Sequence, residues 1–293
     1  MSVLDHKIDF AVILSVRNAN PNGDPLNGNR PRQTYEGLGE ISDVCLKRKI
    51  RNRLQDMGEA ILVQSDERRD DGYRSIKERV DANADVQEFA KGKKQNNELY
   101  AQAACKSWMD VRSFGQVFAF SGGTDASSGV SVGVRGPVSI HTALSVEPIA
   151  ITSTQITKSV NSVTGKDPNK KGSDTMGMKH RVDFGVYVVY GSINTQLAEK
   201  TGFTKDDAEK IREALISLFE NDTSSARPDG SMEVHNVFWW KHQSKLGQYS
   251  SAKVHRSLKI KLNDDVVEGK SIDDYTWTIE PLEGLEPLRY VGR

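Results

Sequence analysis

Cationic side chains are concentrated in one short stretch of this 293-residue sequence. The segment DVCLKRKIRNRL, residues 43–54, carries five Lys or Arg side chains within seven positions: Lys47, Arg48, Lys49, Arg51 and Arg53. Lys and Arg at this density hold phosphates through charge, and such contacts do not depend on the identity of a nucleobase. The stretch therefore predicts a surface that binds a phosphate backbone.

The chain as a whole is electrically balanced, with 40 Lys and Arg against 40 Asp and Glu. The signs are separated along it, because residues after Asn263 are acidic and a second basic block lies within residues 152–183. That block consists of Lys158, Lys166, Lys170, Lys171, Lys179 and Arg181. Separated charges allow one face to hold phosphates while another meets a basic neighbour.

The first basic stretch falls on a predicted helix. Ser42 is the expected N-cap, Asp43 suits the first turn and Gly58 ends the helix. At 100° per residue, Leu46, Ile50, Leu54 and Met57 form an apolar stripe. Lys47, Arg48 and Arg51 lie on one flank of this stripe, so we predict a helix that packs on a sheet and presents a cationic edge.

Apolar patterns predict strands around this helix. KIDFAVILSVR (7–17) is apolar on both sides, which is typical of a central strand, and an Asn-, Gly- and Pro-rich loop follows it. Further strands are expected at 60–64, 114–120, 130–144, 184–193 and 233–242, with terminal additions at 255–262 and 274–280. A second helix spans 203–219, starting at a capping box of Thr204 and Asp207.

Two segments interrupt this core. Residues 66–110 are polar and helical in pattern, and we interpret them as an insertion. Residues 152–183 are an irregular excursion that is either disordered or functional, and SGGTDASSG (121–129) is a predicted surface loop. Without the insertions the order is strand, helix, strand, strand, helix, strand, as in the ferredoxin-like fold of RRM-type RNA binders, although other folds share this order.

Motifs of ordinary enzymes are missing from the sequence. It contains no phosphate-binding P-loop, no dinucleotide fingerprint, no zinc-protease motif and no nucleophile elbow. Cys45 and Cys105 follow no metal or redox spacing, and His235 and His242 are more typical of structural histidines. No apolar run reaches the length of a membrane span and no signal peptide is evident. We expect an intracellular protein with no cofactor, no metal and no membrane partner.

The segment NPNGDPLNGNRPR (20–32) running into ISDVCLKRKIRN (41–52) resembles the backbone subunit of type I CRISPR Cascade complexes, in its subtype I-C form within the RAMP superfamily. Further matches are DVRSFG (110–115), VRGPVSIHTALSVEPI (134–149), MGMKHRVDFGVYVVYG (176–191) and HNVFWWKHQSKLG (235–247). The resemblance implies an α+β fold, a single domain over 1–293 with a modified RRM-like palm. It also implies that 66–110 is the helical insertion and 152–183 a protruding β-hairpin thumb.

The same resemblance implies a function. Copies of such a subunit stack head-to-tail as a helical filament along the spacer of a guide RNA (crRNA), together with other Cascade subunits in a prokaryotic cytoplasm. Each thumb kinks the RNA and leaves base segments free to pair with a target DNA strand. The implied role is RNA binding without catalysis.

Candidate RNA contacts follow from the resemblance and the charges together. They are Lys47, Arg48 and Arg51 on the helix, extended by Arg17 and Arg32, and Lys158, Lys179, His180 and Arg181 at the thumb stems. One interpretation of Met176 and Met178 is that at least one wedges between bases, as apolar side chains do in other nucleic-acid complexes. The alternative is that they pack under the hairpin or against the next subunit. Trp239 and Trp240 are more typical of core packing, since neighbouring strand residues point to opposite faces. Asn18 and Asn20 are predicted turn formers.

Two alternatives stay open at this point. Related subunits of type III complexes cleave RNA with an aspartate in the loop after the first strand, and Asp24 occupies a comparable place, which gives a guide-dependent RNase as the alternative. Its other expected role is an Asx-type turn before Pro25. A standalone RRM-like protein that recognises one defined RNA sequence is the third possibility.

Overall fold

The computed structural model describes residues 2–90, 95–120, 130–160 and 176–293. The strands are β1 (Ile8–Ala19), β2 (Gly23–Asp24), β3 (Arg30–Pro31), β4 (Leu38–Ile41), β5 (Gly115–Phe120), β6 (Val130–Arg135), β7 (Val138–Ile140), β8 (Ala143–Pro148), β9 (Ile151–Thr157), β10 (Met176–Ile193), β11 (Met232–Lys241), β12 (Leu258–Leu262), β13 (Tyr275–Ile279) and β14 (Pro287–Val291). The α-helices are α1 (Asp43–Asp56), α2 (Ile76–Asp81), α3 (Ala84–Gln87), α4 (Asn97–Ser107), α5 (Met109–Phe114), α6 (Thr195–Thr201), α7 (Lys205–Ile216) and α8 (Ser251–Ser257).

One large antiparallel sheet organises the chain. Its strands follow the order β14–β11–β1–β10–β8–β4, and β7 and β9 also pair with β10. β1 lies between β10 and β11, with Phe10 opposite Gly191 on one side and opposite Trp239 on the other. A Cβ atom on residue 191 would lie 2.1 Å from the Phe10 ring, so this close approach requires glycine. The central position predicted for the first strand is confirmed.

Helices α1 and α7 cover one face of the sheet. Their apolar stripes pack against the same side of β1 and β11 in the main core, where the Phe10 and Trp239 rings stack at 5.5 Å. The Ser42 side chain accepts a hydrogen bond from the Cys45 amide, and Thr204 and Asp207 form the predicted capping box. Both amphipathic helices are therefore confirmed, including their starts.

The opposite face of the sheet is covered as well. Helix α8 and the hairpin of β12 and β13 contribute Val254, Leu258 and Tyr275 to a second core, which they share with Ile13 and Trp240. Trp239 and Trp240 lie on opposite faces, and both are buried. Core packing, which we predicted for this pair, is confirmed.

The insertion has a core of its own. Residues 66–110 contain α2, α3, α4 and the start of α5. These helices pack with the β5–β6 hairpin around Tyr100, Trp108 and Phe118. The predicted polar, helical character of this segment therefore coexists with a separate apolar cluster.

The strand predicted at 60–64 is wrong. Ile61 and Leu62 are buried, but backbone groups of Leu62 and Val63 are bound by side chains that lie far away in the sequence. The amides of Leu62 and Val63 donate to the Asp110 carboxylate, at 2.8 and 3.1 Å. Their carbonyl oxygens accept from Arg79 and Arg48, at 2.7 and 2.6 Å. In the strand order of the main sheet, the strand that follows β10 is instead β8.

The excursion at 152–183 is ordered at its ends. β9 and the start of β10 pair antiparallel from Ile151 opposite Val182 to Thr157 opposite Met176. Irregular structure is a wrong prediction there, because the β-branched run ITSTQIT (151–157) forms a strand. Residues 161–175, with Lys166, Lys170 and Lys171, lie outside the described residues, and so does the predicted loop 121–129.

The cysteines and histidines singled out in the sequence have structural roles. Cys45 and Cys105 are free thiols. His242 Nε2 lies 2.8 Å from the Asp9 carboxylate in the interior, and His235 Nε2 lies 2.8 Å from Ser15 Oγ. Among the helices of the described ranges, none has the length and apolarity that a membrane span requires.

Candidate nucleic-acid interface

The loop after β1 is held against the start of α1. Asn18 adopts the left-handed region with φ +51°, and the Asn20 side chain donates to the Asn29 carbonyl at 2.6 Å. Asn22 Oδ1 accepts from the amide and the hydroxyl of Ser42, at 2.9 and 2.8 Å. Asn18 thus has a left-handed backbone near the end of β1, Asn20 bridges the loop to Asn29, and the loop has a fixed position beside the helix.

Asp24 takes part in this loop structure. Its carboxylate accepts from the Leu26 amide at 3.2 Å, which caps a short 3-10 helix (Pro25–Asn27), and lies 3.6 Å from Arg32. These contacts are those of the Asx-type turn that we weighed against catalysis. Over the ranges that the structure describes, no group of three or more His, Cys, Asp or Glu residues is placed to hold a metal ion.

A groove of about 460 Å³ lies where the β9–β10 hairpin leaves the sheet. Three separate parts of the chain meet in it: the hairpin, the loop after β1 and the turn before β11. The lining residues are Asn20, Gly23, Asn29, Ile156, Met178, Lys179, His180, Ser225, Ala226 and Arg227. The groove combines positive charge with exposed apolar side chains, a combination suited to nucleic acid, whose phosphates are anionic and whose bases have apolar faces.

The hairpin carries most of the thumb residues predicted from the sequence. Met176 and Met178 are 67% and 55% exposed, respectively. His180 Nδ1 lies 2.8 Å from Ser153 Oγ across the hairpin, and Arg181 lies 3.7 Å from Asp183. Lys158 is exposed directly after β9. The methionines therefore have their apolar surfaces directed away from the core.

The cations of α1 have partners inside the chain. Lys47 pairs with Asp43 at 3.0 Å, and Arg48 donates to the Val63 carbonyl. Arg51 Nε donates to Asp110 at 2.9 Å, and its guanidinium lies over the Phe114 ring. Burial lowers the pKa of Arg48, and the charge of Arg51 lowers it further. None of these three cations is among the residues lining the groove.

The two outlying candidates occupy different places. Arg17 donates to the Lys270 carbonyl at 2.8 Å and lies over the Phe184 ring, in a separate cleft of about 400 Å³ under the C-terminal hairpin. Arg32 lies beside the first loop, and among the described residues its buried Nε has no hydrogen-bond partner. Arg32 is thus close to the groove region, whereas Arg17 is not.

Sequence reasoning missed Arg227. It lies in the turn between α7 and β11, and the amide of Asn20 donates to the neighbouring Ala226 carbonyl at 2.9 Å. The available signal was a single cation within the turn-forming run TSSARPDG (223–230). Such a signal is weak, because only the folded chain shows that this turn adjoins the hairpin.

Comparisons with known proteins agree on one family. A family model described as CRISPR-associated protein Cas7 matches residues 6–280. A protein of Haloferax volcanii named CRISPR-associated protein Cas7 is 25% identical over 230 residues, which is 75% of this chain. The match covers 66% of that relative, slightly under two thirds of its length.

Two solved structures resemble the chain at low similarity. One is titled "CRISPR RNA-guided surveillance complex, pre-nicking", with TM-score 0.46 and 18% identity, covering 80% of this chain and 78% of its own. The other, titled "CRISPR RNA-guided surveillance complex", has TM-score 0.45 and 16% identity, covering 80% of this chain and 68% of its own.

Proposed function

Because the chain belongs to the CRISPR-associated Cas7 family, we propose that it is a guide-RNA-binding backbone subunit of a CRISPR RNA-guided surveillance complex. Its role in this proposal is structural, with no catalysis and no cofactor. It protects the crRNA and presents it for pairing with a target DNA strand, in a type I-C Cascade of the prokaryotic cytoplasm.

The groove at the base of the hairpin carries this proposal. A subunit that must accept any spacer has to bind the sugar–phosphate backbone, because contacts with base edges would select a sequence. The groove supplies Lys179, His180 and Arg227 for phosphates. Met176 and Met178 project from the same hairpin, and we propose that one of them enters between bases and kinks the RNA.

The covered sheet argues against a standard RRM mode of binding. RRM domains stack bases on aromatic side chains of an open sheet face. Here α7 and α1 occupy one face, and α8 with the β12–β13 hairpin occupies the other. The sequence-specific, standalone RRM-like alternative is therefore disfavoured, since helices or the β12–β13 hairpin pack on both sheet faces in the part of the chain that the structure describes.

The finer architecture is part of the proposal. The order β1, α1, β8, β10, α7, β11 supports a modified RRM-like palm, with the strands adjacent as β11–β1–β10–β8. Residues 66–110 are the proposed helical insertion and 152–183 the proposed thumb of a single domain over 1–293. Further copies, stacked head-to-tail, contact one another through an interface that repeats along the RNA without closing into a ring.

The proposed RNA contacts are ranked by their distance from the groove. Lys179, His180 and Met178 line it, and Met176, Arg181, Lys158 and Arg32 are close neighbours in sequence or space. Lys47 is a further candidate because its side chain reaches solvent next to Asp43. Arg51 contributes mainly by fixing α1 to Asp110 of the insertion, and Arg48 by fixing it to Val63 in the segment before the insertion. Arg17 is assigned a peripheral contact.

The nucleic acid that copurifies with the chain tests the function. The chain is expressed together with a CRISPR array and other complex subunits, and the bound RNA is sequenced. We expect repeat-flanked RNA of mixed spacer sequence. A single defined RNA would favour the standalone reader, and recovery of no RNA above that of an unrelated protein would contradict the proposal.

A further inference from the structure

Lys49 is the most deeply buried basic residue of α1. Its side chain is 3% exposed, and its ammonium forms a hydrogen-bonded ion pair with Asp222, 173 positions further along the chain. The same ammonium lies 5.6 Å from the centre of the Phe219 ring. Burying a cation costs free energy unless its charge is paired. Because a buried side chain does not add to solubility, the position of Lys49 calls for another explanation.

Asp222 also binds a second cation. Its carboxylate accepts from Arg227 Nε at 2.9 Å, so one acidic group lies between two basic ones. Burial lowers the pKa of Lys49 and Arg227 lowers it further, whereas Asp222 raises it. While Lys49 is protonated, the three side chains together carry one net positive charge. That excess charge would attract an anion from outside the chain.

Hydrogen bonds hold both the backbone of Arg227 and the Nε group of its side chain. Ser224 and Arg227 exchange backbone hydrogen bonds at 2.9 and 3.1 Å, and the preceding Ala226 carbonyl is bound by the Asn20 amide. The side chain is 27% exposed and reaches the groove beside Lys179 and His180. Asp222 binds the Nε side of the guanidinium, and within the described ranges no hydrogen bond is recorded for its terminal nitrogens.

We propose that Arg227 binds a phosphate of single-stranded RNA in the groove, and that Asp222 and Lys49 are positioning residues that fix its guanidinium. The inference rests on the proposed function and adds a ligand contact to it. One cation of the basic stretch thus acts from inside the fold, where it does not touch RNA.

Lys49 has a specific part in this arrangement. A carboxylate paired with Arg227 alone would neutralise the guanidinium and weaken its attraction for phosphate. Lys49 offsets the charge of Asp222, so Asp222 can orient Arg227 while the site stays positive. A planar guanidinium held at Nε still presents its terminal N–H groups, which match two phosphate oxygens.

The test measures binding of two fluorescein-labelled RNAs of equal length and unrelated sequence to nucleic-acid-free protein across a salt series. Variants are Arg227→Ala, Asp222→Asn, Lys49→Met and the double variant of Asp222→Asn with Arg227→Ala. Arg256→Ala, at an exposed arginine of α8 on the other side of the sheet, is the matched control for loss of one charge. Thermal unfolding verifies that each variant is folded, and if Lys49→Met is not, Asp222→Asn alone tests the positioning of Arg227.

We expect Arg227→Ala to weaken both RNAs equally, by roughly 10- to 100-fold at low salt. The slope of log affinity against log salt should fall by about 0.7, the value for one lost phosphate contact with a single strand. Asp222→Asn raises the net charge of the site by one, so the weaker binding that we expect in the wild-type background reports lost positioning of Arg227 and not lost charge. It should have no further effect when Arg227 is already alanine.

Three outcomes overturn the inference. Arg227→Ala with the affinity and salt slope of Arg256→Ala refutes the phosphate contact, while wild-type binding still supports the proposed function. An Asp222→Asn effect of equal size in both backgrounds refutes positioning through Arg227. A folded wild-type chain that binds neither RNA refutes both the inference and the proposed function.

Discussion

Replacing Asp110 by alanine should detach the helical insertion from α1. The Asp110 side chain is fully buried, and it accepts hydrogen bonds from the amides of Leu62 and Val63 and from Arg51 Nε, at 2.8, 3.1 and 2.9 Å. One carboxylate therefore joins the start of α5, the segment after α1 and the basic helix itself. This is the junction between the main core and the insertion core.

The loss in free energy of unfolding expected for Asp110→Ala follows from these three contacts. Arg51 is only 12% exposed, and stranding one partner of a buried ion pair costs about 3–5 kcal/mol. Each orphaned amide adds about 1–3 kcal/mol. Because the three losses share one carboxylate and relax together, they do not add in full. We expect a total destabilisation of about 4–6 kcal/mol, a large part of a typical stability.

Urea unfolding followed by circular dichroism measures this change. The Asp110→Ala midpoint should fall at similar m-value, or a separate early transition should appear as the insertion unfolds first. Lys47→Gln is the control, since its exposed pair with Asp43 is worth less than about 1 kcal/mol. An Asp110→Ala protein within about 1 kcal/mol of the wild type would refute the reasoning.

The other predictions concern the groove, pH and catalysis. The double variant of Met176→Ala with Met178→Ala should keep the free energy of unfolding within about 0.5 kcal/mol of the wild type, because both side chains are exposed. It should abolish the rise in 2-aminopurine fluorescence that base unstacking causes in bound RNA, and an unchanged rise would exclude the wedge. Burial lowers the pKa of His255 below its ordinary 6.5, so the unfolded chain takes up the proton first and the free energy of unfolding should fall as pH drops below about 6.5. His255→Gln should flatten this dependence in denaturation at pH 7.5 and 5.5, and an equally steep loss would assign it to other groups. Assembled complex with complementary RNA and Mg²⁺ should leave that RNA intact, whereas regularly spaced cuts that Asp24→Ala abolishes would support the RNase alternative.

The elements that the sequence predicted well carry their own local signals. β1 and β11 have long apolar runs, and α1 and α7 have apolar stripes with Ser42 and Thr204 as caps. The strand expected at 60–64 failed for a non-local reason. Its amides and carbonyls are bound by Asp110, Arg79 and Arg48, and an apolar run alone does not show whether its backbone partners are strands or side chains.

The residues of the candidate site likewise divide into those with a local sequence signal and those whose place depends on the fold. Met178, Lys179 and His180 line the groove, and they stood out as charged or apolar residues within a polar excursion. A helical wheel places Lys47, Arg48 and Arg51 on one flank of α1. It cannot show that Asp110 of the insertion and Val63 in the preceding segment bind two of these cations. Arg227 became visible only when the fold brought its turn to the loop after β1.

Photo-crosslinking of the assembled, guide-RNA-loaded complex tests the central claim most directly. Mass spectrometry of the RNA-linked peptides identifies which surface of the chain touches the guide. The groove predicts adducts within 176–181 and 224–228. Adducts confined to the β12–β13 hairpin or to the outer side of the insertion, with none in these two segments, would contradict the account.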